Sequence, residues 1–145
     1  MEAEKLIETL HTVEKLKRTM RHCYTSDGRK ESVAEHCWRV ALMAYWMEDE
    51  FPEVDINKVI KMCLIHDLGE CFTGDIPCFK KTEADEETEE NLLYQWVATL
   101  PEPLNDKMRT LYQEMSELKT LEAKIYKALD NMEGALSHNE SDLKT

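Results

Sequence analysis

The stretch Glu31-Ser-Val-Ala-Glu-His36-Cys-Trp-Arg-Val40-Ala-Leu-Met-Ala44-Tyr-Trp-Met-Glu-Asp-Glu-Phe51 decides the fold. Val33, Cys37, Val40, Ala44, Met47 and Phe51 recur at helical spacing, so this segment predicts a core helix with one apolar face. Ser32 reads as its N-cap, and Glu35, three residues on, as the partner in a capping box. Pro52 ends it. One imidazole, His36, rides beside the buried stripe.

Outward from there the pattern stays helical. Upstream, Leu6, Leu10, Val13, Leu16 and Met20 predict a first helix from Glu2 to His22, and Ser26-Asp27-Gly28 marks a turn within Thr25 to Lys30. Downstream, Asp55 caps a third helix carrying Ile56, Val59, Ile60, Cys63 and Leu64, which ends near His66 to Gly69. Thr73-Gly-Asp75-Ile-Pro77 reads as loop. A fourth helix runs from Glu83 until Pro101 and Pro103 break it. A fifth spans Asn105 to Leu118, and a sixth Thr120 to His138. The acidic run Glu83 to Glu90 opens a helix, where carboxylates favour the positive end of the dipole. It lacks the alternating ligands and central glycine of a calcium loop. The fold class is therefore all-α, a bundle of about six helices. No repeat or linker divides residues 1–145, which read as one domain. Ser141 to Thr145 carry no terminal packing element, as at a natural end or the edge of a longer chain.

Composition bounds the function. The chain has 145 residues, 42 % hydrophobic and 33 % charged, with four Gly and four Pro, as in a helical globular domain. A net charge of −12 repels a phosphate backbone and an anionic membrane surface, so neither nucleic acid nor membrane is expected as a partner. A small anionic substrate remains compatible, because a bound cation reverses the field inside a cleft. Five cysteines (Cys23, Cys37, Cys63, Cys71 and Cys78) form no C-x-x-C pair, and Cys37 and Cys63 fall on apolar stripes. They read as core thiols of a reducing compartment, and with no secretory segment at Met1 to Lys5 the cytoplasm is expected.

Three places carry chemistry. His36 alone reads as a satisfied core histidine, and the dipeptide His66-Asp67 arises often by chance. Asp130 is more telling. It lies among Ile125, Leu129 and Met132, where a carboxylate is costly unless paired, hydrogen-bonded or metal-bound; Lys124 or Lys127 could be the partner instead. Together the four form a mixed nitrogen and oxygen set suited to Mn, Fe, Co, Ni or Zn. Four ligands leave room for a water acidified toward neutral pH.

The order His36, His66-Asp67, Asp130 resembles the H…HD…D signature of the HD-domain superfamily of metal-dependent phosphohydrolases. Glu31-Ser-Val-Ala-Glu-His36, His66-Asp-Leu-Gly-Glu70, Thr73-Gly-Asp75-Ile-Pro77 and Lys127-Ala-Leu-Asp130 resemble the corresponding segments of its 5′-deoxynucleotidase (YfbR-like) branch, over Leu16 to Asp130. The resemblance implies an HD-domain bundle holding one divalent transition metal ion on His36, His66, Asp67 and Asp130. It implies that Glu70 and Asp75 are catalytic, positioning water and handling protons. Arg21 would hold the phosphate, as a planar fork of donors can. Where that branch often carries Trp after this Arg, His22 stands here, able to meet a sugar hydroxyl, a phosphate or solvent. The implied activity is removal of phosphate from (deoxy)nucleoside 5′-monophosphates. A homodimer is implied too, although core packing is the role expected of Trp38, Trp46, Tyr94 and Trp96. Relatives commonly continue past this C-terminus with further helix. Two alternatives stay open: hydrolysis of another phosphate ester (a nucleoside triphosphate, cyclic nucleotide or alarmone), and a metal-binding regulatory helical module without catalysis.

Overall fold

A computed structural model describes residues 1–77 and 79–141 of the chain. Six helices of ten residues or more build it: α1 (Ala3–Val13), α2 (Val33–Trp46), α3 (Ile56–Ile65), α5 (Glu83–Ala98), α6 (Leu104–Glu117) and α7 (Leu121–Glu140). The one-turn α4 (Glu70–Thr73) follows α3. A small antiparallel hairpin, β1 (Met20–Tyr24) and β2 (Lys30–Ser32), precedes α2.

The core lies where α2, α3 and α7 pack together. Val33, Val40, Ala44, Val59, Met62, Cys63 and Ala123 are fully buried there. Each large aliphatic side chain contributes roughly 2 kcal/mol by leaving water. The caps follow the sequence. Ser32, Asp55 and Thr120 side chains accept the N–H groups of Glu35, Lys58 and Ala123, which satisfies one otherwise unpaired donor at each start. The reciprocal half of the box at Ser32 is absent, because the Glu35 carboxylate instead takes two bonds from Arg29, at 3.0 and 2.9 Å. A complete box occurs at α5, between Thr82 and Asp85. The acidic run after it is largely exposed; Glu89 turns inward to accept from Thr73 at 2.8 Å.

The first helix differs from the expectation of Glu2 to His22. It ends at Val13, passes through a 3-10 turn (Glu14–Lys17), and Met20 to Tyr24 become a strand. The run His22-Cys23-Tyr24-Thr25 favours extended backbone. Gly28, at φ +88°, closes the turn that folds the chain back onto it. The stripe on α1 is not core either: Leu6, Ile7 and Leu10 are exposed. Trp38 and Trp46 also depart from the core role expected of them, at 61 % and 72 % exposed, because they lie on the face of α2 opposite Val33, Cys37 and Val40. Tyr94 and Trp96 are partly buried against the core. Ser141 bonds back to Tyr24, while residues 142–145 and Cys78 lie outside the described residues.

One tertiary bond lies where α3 stops. The Tyr112 hydroxyl of α6 donates to the Ile65 carbonyl at 2.7 Å, one residue before His66. Tyr112→Phe should cost about 1 kcal/mol, seen as a Tm lower by roughly 4 °C in a thermal melt. An unchanged Tm would show that this bond does not anchor the turn.

Candidate metal centre and its cleft

Three elements deliver four side chains to one point. α2 brings His36, the turn after α3 brings His66 and Asp67, and α7 brings Asp130. The Nε2 atoms of the two histidines stand 3.2 Å apart. Asp130 Oδ1 lies 2.9 Å from His36 Nε2 and 3.1 Å from His66 Nε2. Asp67 Oδ2 lies 3.6 and 3.2 Å from the same two nitrogens.

The outer nitrogens of the rings decide what the inner ones offer. His36 Nδ1 faces the buried Glu133 carboxylate, and His66 Nδ1 donates to the Cys63 carbonyl at 2.7 Å. Both partners are acceptors, so each Nδ1 carries the proton and each Nε2 presents a lone pair inward. Two imidazole lone pairs and two carboxylates therefore converge with no proton among them. Such a cluster demands positive charge. Protons can supply it. Burial disfavours both imidazolium forms, yet Asp130 and Glu133 at His36, and Asp67 and Asp130 at His66, outweigh burial and raise both rings above their ordinary value. Burial likewise resists ionisation of Asp130, but the two rings hold its carboxyl far below the usual range. A divalent cation supplies that charge without disturbing either tautomer, and a set of two nitrogens and two oxygens fits a transition metal. The donor chemistry thus fits one such ion.

Glu70, at the start of α4, lines the same cleft as Asp67. It is buried, and its Oε2 has no hydrogen-bond partner. Burial, aided by the charges of Asp67 and Asp75, pushes its carboxyl up to about 10. In the metal-free protein this favours the protonated carboxylic acid near neutral pH, a form able to donate a proton.

A cleft of about 430 Å³ opens over the cluster. Its walls include the residues singled out from sequence on β1 and after α3: Arg21, His22, Glu70 and Asp75, with His36, Asp67 and Asp130 at the floor. His66 reaches the cluster but lines the neighbouring hollow between α5, α6 and α7. Arg21 is half-buried, with Nε 3.3 Å from Glu31 Oε2, whose charge keeps the guanidinium ionised against burial. His22 is exposed at the rim.

The sequence reading gave no role in the site to four residues, although it named Lys127 as a possible partner for Asp130. Lys81 and Lys127 add positive charge to a cleft in an otherwise acidic protein, and His138 lines its wall. Lys127 Nζ stands 3.5 Å from Asp130 Oδ2. Glu133 is the fourth. It follows Asp130 by one turn, which alone does not mark it as buried.

Comparison with known proteins is consistent along the chain. A family model described as an HD domain matches residues 13–145. The 5′-deoxynucleotidase HDDC2 of Homo sapiens is 32 % identical over 142 residues, 95 % of this chain and 69 % of that protein. The Bos taurus protein of the same name is 33 % identical, over 95 % of this chain and 68 % of its own length. Among solved structures, a predicted metal-dependent phosphohydrolase from Magnetospirillum magnetotacticum superposes with a TM-score of 0.82 at 30 % identity, covering 93 % of this chain and 69 % of that one.

Proposed function

We propose, because this chain belongs to the HD-domain family, that it is a metal-dependent phosphomonoesterase that removes phosphate from (deoxy)nucleoside 5′-monophosphates. The observation that carries this reading is the convergence of four lone-pair donors on the floor of a cleft that also holds a buried acid and an arginine. His36, His66, Asp67 and Asp130 would hold one divalent ion, Mn, Co, Ni, Fe or Zn. Bound there, such an ion supplies Lewis acidity and a water acidified toward neutral pH.

The chain's own groups then divide the remaining work. Arg21, steadied by Glu31, binds phosphate oxygens through its planar fork. Lys81 and Lys127 lower the cost of bringing a phosphate into a protein of net charge −12. Glu70 gives its proton to the leaving 5′-oxygen as water adds to phosphorus and the P–O5′ bond breaks, and Asp75 stands beside it to keep that carboxyl protonated until then. His22 faces the sugar end from the cleft rim.

A homodimer belongs to the same reading, with Trp38, Tyr45 and Trp46 of α2 offering exposed apolar surface for it. So does a single domain spanning residues 1–145. A cytoplasmic setting is proposed from the free thiols of Cys23, Cys37, Cys63 and Cys71. Among the described residues, no helix is long and apolar enough to cross a membrane.

The test is phosphate release from deoxyribo- and ribonucleoside 5′-monophosphates, with triphosphates and cyclic nucleotides alongside, across Mn, Co, Ni, Fe and Zn. Metal-dependent release from monophosphates is expected. Turnover of the other esters alone would move the chain to another substrate class, and no turnover with any metal would leave the regulatory module standing.

A further inference from the structure

Glu133 stands behind the cluster, outside the cleft, and is fully buried at 0 % exposure. A carboxylate so placed costs several kcal/mol unless its oxygens are paired. Here they are, and the division is informative. Oε2 takes His36 Nδ1. Oε1 accepts from Ser137 Oγ at 2.6 Å and from Arg39 Nε at 3.1 Å. Arg39 is anchored in turn by Glu140 at 2.6 Å and by Ser137 Oγ at 3.2 Å. His36 and Arg39 lie one turn apart on α2, facing Glu133, Ser137 and Glu140 on successive turns of α7.

Resting on the reading that the cluster holds a divalent ion, we infer that Glu133, clamped by Arg39 and Ser137, is the positioning residue that sets metal affinity through His36. An imidazole ligates only through an unprotonated nitrogen, and the proton sits where the better acceptor is. Glu133 makes Nδ1 that place, which leaves Nε2 free and aimed at Asp130. Arg39 and Ser137 occupy the other oxygen, so the carboxylate cannot swing away from the ring. Without Glu133 the His36 proton can pass to Nε2, where Asp130 accepts it at 2.9 Å, and the ring is lost as a ligand.

The experiment is Co(II) titration of the metal-free protein, followed by visible absorption, in wild type, Glu133→Ala and Glu133→Gln. The Ala variant should bind about 10- to 100-fold more weakly, with an altered Co(II) spectrum as one nitrogen is lost. Glu133→Gln, close in shape, should fall between, and it carries the test if the Ala variant does not fold. Excess metal should restore much of the lost kcat, which a general loosening of the fold would not allow. Wild-type affinity and an unchanged spectrum in Glu133→Gln and in any folded Glu133→Ala would overturn the inference. If wild type itself takes up no Co(II), the metal reading fails instead.

Discussion

Asp130→Asn should abolish stoichiometric metal binding, lower phosphatase activity about 1,000-fold or more, and make the metal-free protein less stable than wild type at neutral pH. The first half follows from charge. Asp130 Oδ1 is the oxygen nearest both imidazole nitrogens, and removing its charge leaves Asp67 as the sole anion of the cluster. Metal assistance is worth several kcal/mol at the transition state, and each 1.4 kcal/mol is about tenfold in rate. The second half follows from linkage. Without metal the raised rings carry protons, and Asp130 Oδ1 pairs with them at 2.9 and 3.1 Å. A carboxyl held below its usual range stabilises the fold through its charged form, and a neutral amide loses that contribution. Thermal melts with and without metal read both halves. Wild type should gain about 3 kcal/mol, roughly 8 °C, at a hundredfold excess of metal over Kd, and the variant nothing. A variant that still shows that gain would remove Asp130 from the ligand set.

The same cluster gives metal binding a pH dependence. Both rings are raised in the metal-free protein, so their protons stabilise that state at low pH and are lost as pH rises through the raised values. Metal must displace those protons. Binding should therefore weaken as pH falls, over a window that opens above about 6.5, the ordinary histidine value.

How much of this was legible in the sequence depends on what each residue needed. The helices were, because Val33, Cys37, Val40 and Ala44 must share one face, and period alone says so. The floor of the cleft was hinted at by Asp130, since a carboxylate beside Leu129 and one helical turn from Tyr126 needs a partner, either a lysine or a metal. Its partners needed the surrounding wording. The hairpin was not legible. Leu16 and Met20 continue a helical spacing, and only the pairing of Met20 with Ser32 and of Tyr24 with Lys30, a tertiary event, turns Arg21 into a strand residue facing the cleft. Glu133 was hidden for a related reason. On its own helix it reads as an ordinary glutamate, and its meaning appears only when α2 sets His36 and Arg39 against it. Trp38 and Trp46 misled in the other direction, because large aromatic residues are buried more often than not, and the apolar stripe of α2 was already complete without them.

Glu70→Gln should lower kcat about 100- to 10,000-fold, leave metal stoichiometry intact, and make the metal-free protein melt higher at alkaline pH. Glutamine fills the same space but has no proton to give to a leaving oxygen, and general acid catalysis is commonly worth that much. Metal content should hold because the carboxylates that meet the two imidazole nitrogens are Asp67 and Asp130, not Glu70. The stability change is the sharper sign of a group held against its own preference. Burial first, then Asp67 and Asp75, raise the folded carboxyl to about 10, whereas in the unfolded chain it titrates near 4.3. A raised folded value means that the protonated form's contribution is complete below the unfolded value and is lost as pH rises toward the folded one. At pH 8 the ordinary preference of this carboxyl for ionisation therefore works against the metal-free fold, and glutamine removes that opposition. A Tm higher by about 5 °C at pH 8 is expected, shrinking toward nothing near pH 4.5. Metal loading should narrow the difference as well, since a cation at Asp67 offsets part of the charge that raises Glu70. Activity within tenfold of wild type would take the acid role from Glu70. A lower Tm at pH 8 would show that its carboxyl stabilises the metal-free fold, and the trade of stability for a retained proton would not exist at this position.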